Sequence, residues 1–233
     1  MCTLSFIPTN NGYIFTHNRD EHFLRESALA PAIYNTESGE LIYPKDGRAG
    51  GTWIASDGIT TICLLNGAFE KHKHQPPYQK SRGLVLLESF GYNSSAFGST
   101  YDFTGIEPFT ILRVKSLEAP LELRWDGKNV HETIRERKPM ILSSATLYDE
   151  ESRNKRNALF NEFLSRNPSP TPASVFIFHG LKHIGKQDHD FLMERESGVK
   201  TLSVSQVIVD LQRMQFAYAD KLNHKFHWLG LSA

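Results

Sequence analysis

Residues 1–21 read MCTLSFIPTNNGYIFTHNRDE, and this stretch decides the fold. Residues 3–7 and 13–16 are rich in β-forming side chains, and the Asn11-Gly12 step between them favours a hairpin turn. With a turn centred near Asn11, facing residues of the two strands have numbers that sum to roughly 21 or 22. Cys2 is therefore predicted to lie opposite Arg19 or Asp20.

Cys2 is the candidate nucleophile of this hairpin. A small residue after Met1 is the usual substrate of methionine removal, and a mature chain that begins at Cys2 carries a thiol and a free α-amine in one residue. The Arg19 guanidinium beside the thiol is expected to favour the thiolate and to lower its pKa. Asp20 can hold the α-ammonium or Arg19 in place. The alternative is a solvated strand end with a helix cap.

A second hairpin is predicted from residues 52–55 and 59–65, with Asp57-Gly58 as its turn. This register places Asn66 across from residues 49–50, where nearby glycines permit the backbone to approach a ligand closely. The side-chain amide of Asn66 is a suitable donor to an oxyanion, although an asparagine before a glycine is also typical of a plain turn. The glycines concerned are Gly47, Gly50 and Gly51.

The rest of the chain is predicted to contain both helices and strands. Helices are predicted at 81–90 and 150–164, and strands at 109–114, 121–125, 130–134, 200–208 and 215–219. Strands dominate both ends with helices between them, which indicates a layered sandwich of helices and sheets. We expect a single domain over residues 1–233.

Composition excludes several classes of protein. Lys plus Arg and Asp plus Glu both number 26, so the basic excess typical of a nucleic-acid binder is missing. Two cysteines do not form a disulfide framework of the secreted kind, which favours a reducing, cytoplasmic compartment. No apolar run reaches membrane-spanning length, so we expect no membrane span. The oligomeric state stays open.

Metal binding is a weaker alternative. His179, His183, His189 and Asp190 could in principle ligate a metal, but the 179–183 spacing lacks the glutamate of the zinc-hydrolase helix motif. Cys63, between two apolar residues of a predicted strand, is interpreted as a small buried hydrophobe.

Taken together, the motifs resemble one protein family. Cys2 after Met1 and the segments 18–21, 50–53, 65–66 and 81–83 recur in this order in the NRDE family, which includes homologues of transport and Golgi organisation protein 2. That family is similar to the N-terminal-nucleophile hydrolases, particularly choloylglycine hydrolases and penicillin V acylases. The resemblance implies an α+β fold, a four-layer αββα sandwich of two antiparallel sheets. It also implies amide hydrolysis through an acyl-enzyme on the N-terminal cysteine, without a metal or organic cofactor.

The same resemblance implies a role for individual residues of this sequence. Cys2 matches the nucleophile, Arg19 the adjacent arginine and Asn66 the oxyanion-hole asparagine, while Asp20 is a looser match. Ser144 stands where the acylases have a further asparagine, and Lys200 is the nearest counterpart of their late arginine.

The leading hypothesis is an N-terminal cysteine amidohydrolase that cleaves a non-peptide amide bond of a small-molecule substrate. The alternative is a non-catalytic protein that binds or moves a hydrophobic small molecule such as a lipid or haem, which the family resemblance permits. No feature of the sequence favours a pure interaction module.

Overall fold

The first hairpin forms as the sequence predicts. In the computed structural model, which describes residues 2–183, 190–211 and 213–232, β1 (Cys2–Thr9) pairs with β2 (Gly12–His22) through a tight turn. Cys2 is the ladder partner of Arg19. Gly12 serves another purpose besides the turn, because a Cβ there would lie 1.9 Å from the carbonyl oxygen of Val209. Glycine therefore lets the neighbouring strand approach β2.

Two antiparallel sheets make up the centre of the molecule. The first sheet has the spatial order β10 (Met140–Ser143), β1, β2, β11 (Val199–Asp210), β12 (Arg213–Asp220) and β13 (Lys225–Ser232). The second has the order β3 (Leu29–Thr36), β4 (Gly39–Lys45), β5 (Ile54–Ser56), β6 (Thr60–Asn66), β7 (Phe109–Lys115), β8 (Leu121–Trp125) and β9 (Val130–Ile134).

Helices cover the outer face of each sheet. α1 (Arg82–Glu88) and α2 (Phe97–Thr100) pack on the second sheet, while α3 (Glu150–Arg166) and α4 (Pro172–His179) pack on the first. One apolar core lies between the sheets, and one lies under each helical layer. Successive residues of each strand point to opposite faces of its sheet, so their side chains pack alternately into the two cores on either side. The result is the predicted α+β, four-layer αββα sandwich.

Several elements differ from the sequence prediction. The structure adds β3, β4, β10, β13, α2 and α4, which the sequence pattern did not reveal. The second hairpin forms, but its turn is centred on Gly58-Ile59, one residue later than predicted, so that Ile54 pairs with Cys63, where the ladder ends. The expected position of Asn66 across from residues 49–50 is therefore wrong, because the observed register would bring Gly51 opposite Asn66 if the ladder continued. None of the described helices has the length and apolar character needed to cross a membrane.

Candidate active site

A cleft of about 140 Å³ opens beside the end of β6 and the first residues of β1. Its wall includes three of the predicted site residues, Cys2, Arg19 and Asn66. The first two come together because they are ladder partners on the inner face of the first sheet, and the third ends β6 of the facing sheet. Strand ends from both sheets and the start of α1 thus build one site.

Cys2 lines this cleft and is almost fully buried. Burial is the largest cause that raises the pKa of the thiol; the amino-terminal charge and a hydrogen bond from the Asp20 backbone N–H lower it, the Asp20 charge raises it, and the net shift is upward. The lowered pKa that the sequence led us to expect is therefore wrong. The sulfur is held as a neutral thiol, and a base must accept its proton before it can attack.

Arg19 is committed to an ion pair with Asp46 and is not among the groups that shift the pKa of the Cys2 thiol. One of its nitrogens lies 2.5 Å from the Asp46 carboxylate, and its guanidinium carbon stacks 4.3 Å from the centre of the Trp53 ring. Arg25 binds the same carboxylate through two bonds of 2.9 and 3.0 Å. Burial favours a raised pKa for Asp46, but the hydrogen bonds from Arg25 and the Ala49 N–H and the nearby arginine charges lower it overall.

Sequence reasoning missed Asp46 and gave its role to Asp20. The only local signal is the loop 46–51, in which Asp46 N–H donates to Gly51 O and Gly50 N–H donates to Asp46 O. This closed loop points the carboxylate inward. Such a loop is a turn by composition, and only the tertiary structure brings it to Arg19.

Asp20 lies on the opposite face of β2 from Arg19, as strand alternation requires. Its carboxylate accepts hydrogen bonds from Tyr148 Oη at 2.8 Å and Thr201 Oγ1 at 2.6 Å, in the layer beneath α3. Burial raises the pKa of Asp20, and the Arg156 charge opposes that shift. Asp20 therefore contributes its backbone N–H to the thiol, while the carboxylate that holds Arg19 is Asp46.

The backbone that carries Asn66 is clamped by side chains. Four successive carbonyl oxygens, those of residues 66–69, each accept a hydrogen bond from a different side chain. The Asn66 carboxamide itself makes no hydrogen bond within the described part of the chain, so its N–H groups are available to a ligand in the cleft. The donors to the clamped carbonyls are, in order, Ser144 Oγ, Thr110 Oγ1, an Arg124 N–H and an Arg153 N–H.

Ser144 joins two of the site residues from behind. Its hydroxyl donates to Asn66 O at 2.7 Å, and its backbone N–H donates to Cys2 O at 2.9 Å. The side chain is buried and is not among the described residues that line the cleft. The hydroxyl thus braces the site rather than facing a ligand.

Lys200, like Asp20 and Ser144, is a predicted site residue that does not line the cleft. Lys200 lies on β11 as the ladder partner of Glu21 on β2, and its amine lies 5.4 Å from the centre of the Phe23 ring. It is not among the described residues of the cleft wall. The match to a late arginine of the acylases therefore does not bring a cation to Cys2.

The alternative metal ligands are used structurally. His179 is buried between Ser5 Oγ and Asn18 Oδ1, each 2.7 Å from one ring nitrogen, and burial lowers its pKa to about 3. Among the described residues no group of three or more His, Cys, Asp or Glu side chains is arranged to hold a metal. His189 and Met1 lie outside those residues. Cys63 is fully buried, as expected.

The family comparison covers this same part of the chain. All residues of the cleft wall lie between Cys2 and Gly83, within the segment that a family model recognises. Residues 1–102 match the Transport and Golgi organisation 2 family. The resemblance inferred from the motifs is thereby confirmed. Among curated proteins, none matches the sequence.

A solved structure with a similar fold extends the comparison beyond residues 1–102 to almost the whole chain. The mutant C2A conjugated bile acid hydrolase from Clostridium perfringens superposes with a TM-score of 0.53 and 11% identity. The match covers 98% of this chain and 92% of that one. The likeness shows the fold, that of the N-terminal-nucleophile hydrolases.

Proposed function

We propose that this protein is an N-terminal cysteine amidohydrolase, which cleaves a non-peptide amide bond through an acyl-enzyme on Cys2. One observation carries the proposal: a single small cleft brings the Cys2 thiol together with the uncommitted carboxamide of Asn66. A nucleophile and an oxyanion donor on the same cleft are the two groups that acyl transfer needs. The similar fold of a conjugated bile acid hydrolase, studied as a C2A mutant, agrees with this assignment.

The raised pKa of the Cys2 thiol defines the first step. In a chain that begins at Cys2, the α-amine takes the thiol proton, directly or through water, and the sulfur attacks the amide carbonyl carbon. Asn66 Nδ2 and a backbone N–H donate to the oxyanion of the tetrahedral intermediate. The C–N bond then breaks, and the leaving amine takes the proton from the α-ammonium. Water cleaves the thioester, which releases the acid and restores the thiol.

Arg19 and Asp46 support this chemistry by position rather than by charge. Their ion pair, with Arg25 as a third member, is half-enclosed by the Trp53 ring and fixes the wall next to Cys2. A rigid wall would hold the substrate carbonyl near the sulfur, and such positioning lowers the entropic part of the barrier.

The runner-up function, binding of a lipid or haem without chemistry, has less support. Ligands of that kind usually occupy apolar pockets of roughly 300–1,000 Å³. This cleft is about 140 Å³ and carries three arginines and two carboxylates on its wall. A short acyl group fits such a site better than a macrocycle or a long chain.

Amine release from a panel of short-chain N-acyl amides tests the proposal. Wild type should liberate the amine from at least one amide, whereas Cys2→Ala and Cys2→Ser should show no turnover of it. Cys63→Ala is the matched control, because it removes the other buried cysteine, which lies outside the cleft wall, and it should retain activity. Turnover that persists in Cys2→Ala would refute the assigned nucleophile.

A further inference from the structure

Arg82 is a cleft residue whose role the sequence motifs leave open. It is the first residue of α1, after the helix cap Ser81, and its side chain is 17% exposed on the cleft wall. Two glycines bring it there: a Cβ on Gly51 would lie 2.5 Å from Gly83 C, and a Cβ on Gly83 would lie 2.7 Å from Thr52 O. The start of α1 thus packs directly on the loop that carries Asp46.

A carboxylate and a backbone carbonyl hold the guanidinium group of Arg82 in place. One guanidinium nitrogen lies 2.9 Å from Glu107 Oε2, and another donates to Pro108 O at 3.2 Å. The second oxygen of Glu107 is shared by His72 Nε2 at 3.0 Å and His74 Nδ1 at 3.3 Å. The carboxylate is thus divided among three partners, and the two bonds to Arg82 leave further N–H groups of its guanidinium for a ligand.

The other two arginines of the cleft are committed differently. Arg19 and Arg25 both bind Asp46, whose oxygens also accept backbone N–H groups of the same loop. Across the whole wall, three guanidinium groups face two carboxylates, Asp46 and Glu21. The wall itself therefore carries more guanidinium groups than carboxylates, and Arg82 is the guanidinium whose carboxylate partner, Glu107, is not among the wall residues.

We propose that Arg82 binds an anionic group, such as a carboxylate, on the short acyl part of the substrate. The proposal rests on the proposed function, since it sets the anion a few atoms from the carbonyl that Cys2 attacks. A guanidinium binds a carboxylate through two parallel hydrogen bonds, so it selects both charge and orientation. The small volume of the cleft limits the acyl part to a short chain. Burial lowers the pKa of Arg82, and the charge of Glu107 opposes that shift.

Alkylation of Cys2 tests this inference without requiring turnover. Iodoacetate and iodoacetamide have nearly the same shape and leaving group and differ in charge, and both form a thioether with loss of iodide. The measured quantity is the ratio of their rates at Cys2, followed by peptide mass mapping, in wild type, Arg82→Gln and Arg82→Lys. Arg166→Gln is the matched control, because Arg166 is an exposed arginine at the end of α3.

The ratio of iodoacetate to iodoacetamide rates should fall about three- to tenfold in Arg82→Gln, as expected for the loss of one partly screened charge. It should be largely retained in Arg82→Lys and unchanged in Arg166→Gln, and in wild type it should fall as salt is added. An unchanged ratio in Arg82→Gln, with Cys2 still labelled, overturns this inference alone. Failure of both reagents to label wild-type Cys2 overturns the proposed function and this inference with it.

Discussion

Replacing Asp46 by asparagine tests the ion-pair cluster that shapes the cleft. Asparagine preserves the size of the side chain but turns one oxygen into an NH₂ group, which then faces the guanidinium groups of Arg19 and Arg25. Two arginines lose their common carboxylate, and the Arg19 side chain is only 7% exposed. Breaking a buried pair by removing one partner costs about 3–5 kcal/mol. Because Arg25 is partly solvated, we expect the variant to lose about 2–4 kcal/mol of unfolding free energy.

Urea denaturation at pH 7 measures this loss, with Glu162→Gln as the control. Glu162 pairs with Arg166 at 2.6 Å on the exposed surface of α3, so its removal should change the unfolding free energy by less than about 0.5 kcal/mol. The same Asp46→Asn variant should also react more slowly at Cys2, because the wall next to the sulfur loosens. A loss below about 0.5 kcal/mol for Asp46→Asn, similar to the control, would refute the view that this cluster organises the site.

Acid should remove the difference in unfolding free energy between wild type and Asp46→Asn. The pKa of Asp46 in the folded protein lies below its ordinary value of 3.8. Its stabilising contribution is therefore complete above pH 3.8 and is lost as the pH falls through the folded pKa. The two proteins should differ fully at pH 7 and converge in strong acid.

Three further predictions concern packing, pH and the brace behind the cleft. Gly51→Ala should destabilise the protein and abolish labelling of Cys2, because the added Cβ would meet the backbone of α1 at 2.5 Å, whereas Gly230→Ala, with open space around it, should be tolerated in both assays. His179 has a pKa of about 3 in the folded protein against an ordinary 6.5, so between these pH values it binds a proton mainly in the unfolded chain, and the unfolding free energy decreases as the pH is lowered. At pH 5 the loss of unfolding free energy amounts to about 2 kcal/mol. In His179→Gln, the slope of the unfolding free energy against pH should correspond to about one proton fewer than in wild type. Ser144→Ala leaves the Asn66 carbonyl without its hydroxyl donor, and should cost about 1–2 kcal/mol in urea denaturation and lower kcat more than it raises KM.

The first hairpin could be predicted from the sequence because its geometry is local. A tight turn fixes the register of both strands, and the register alone places Cys2 against Arg19. The same logic failed by one or two residues at the second hairpin, because the observed ladder is centred between Gly58 and Ile59 rather than at Asp57-Gly58. Local sequence patterns thus predicted the pairing of Cys2 with Arg19 more accurately than they predicted the surroundings of Asn66.

Long-range contacts account for what the sequence did not reveal. Asp46 reaches Arg19 only through packing of its loop against the first sheet, and no spacing rule links residues 27 positions apart. The separation of Asp20 from Arg19, by contrast, follows from strand alternation and was available from the hairpin itself. β3 is an edge strand with exposed Leu29 and Ile33, and such a strand lacks the pattern of one buried face. Its type is decided by the sheet it joins.

The mass of the intact protein, before and after reaction with an amide substrate, tests the central claim most directly. We predict a native chain that lacks Met1, and a transient added mass equal to the acyl group, mapped to Cys2 and removed by hydroxylamine as a thioester is. A protein that hydrolyses the amide while it retains Met1, or while Cys2 never carries the acyl group, would contradict the account.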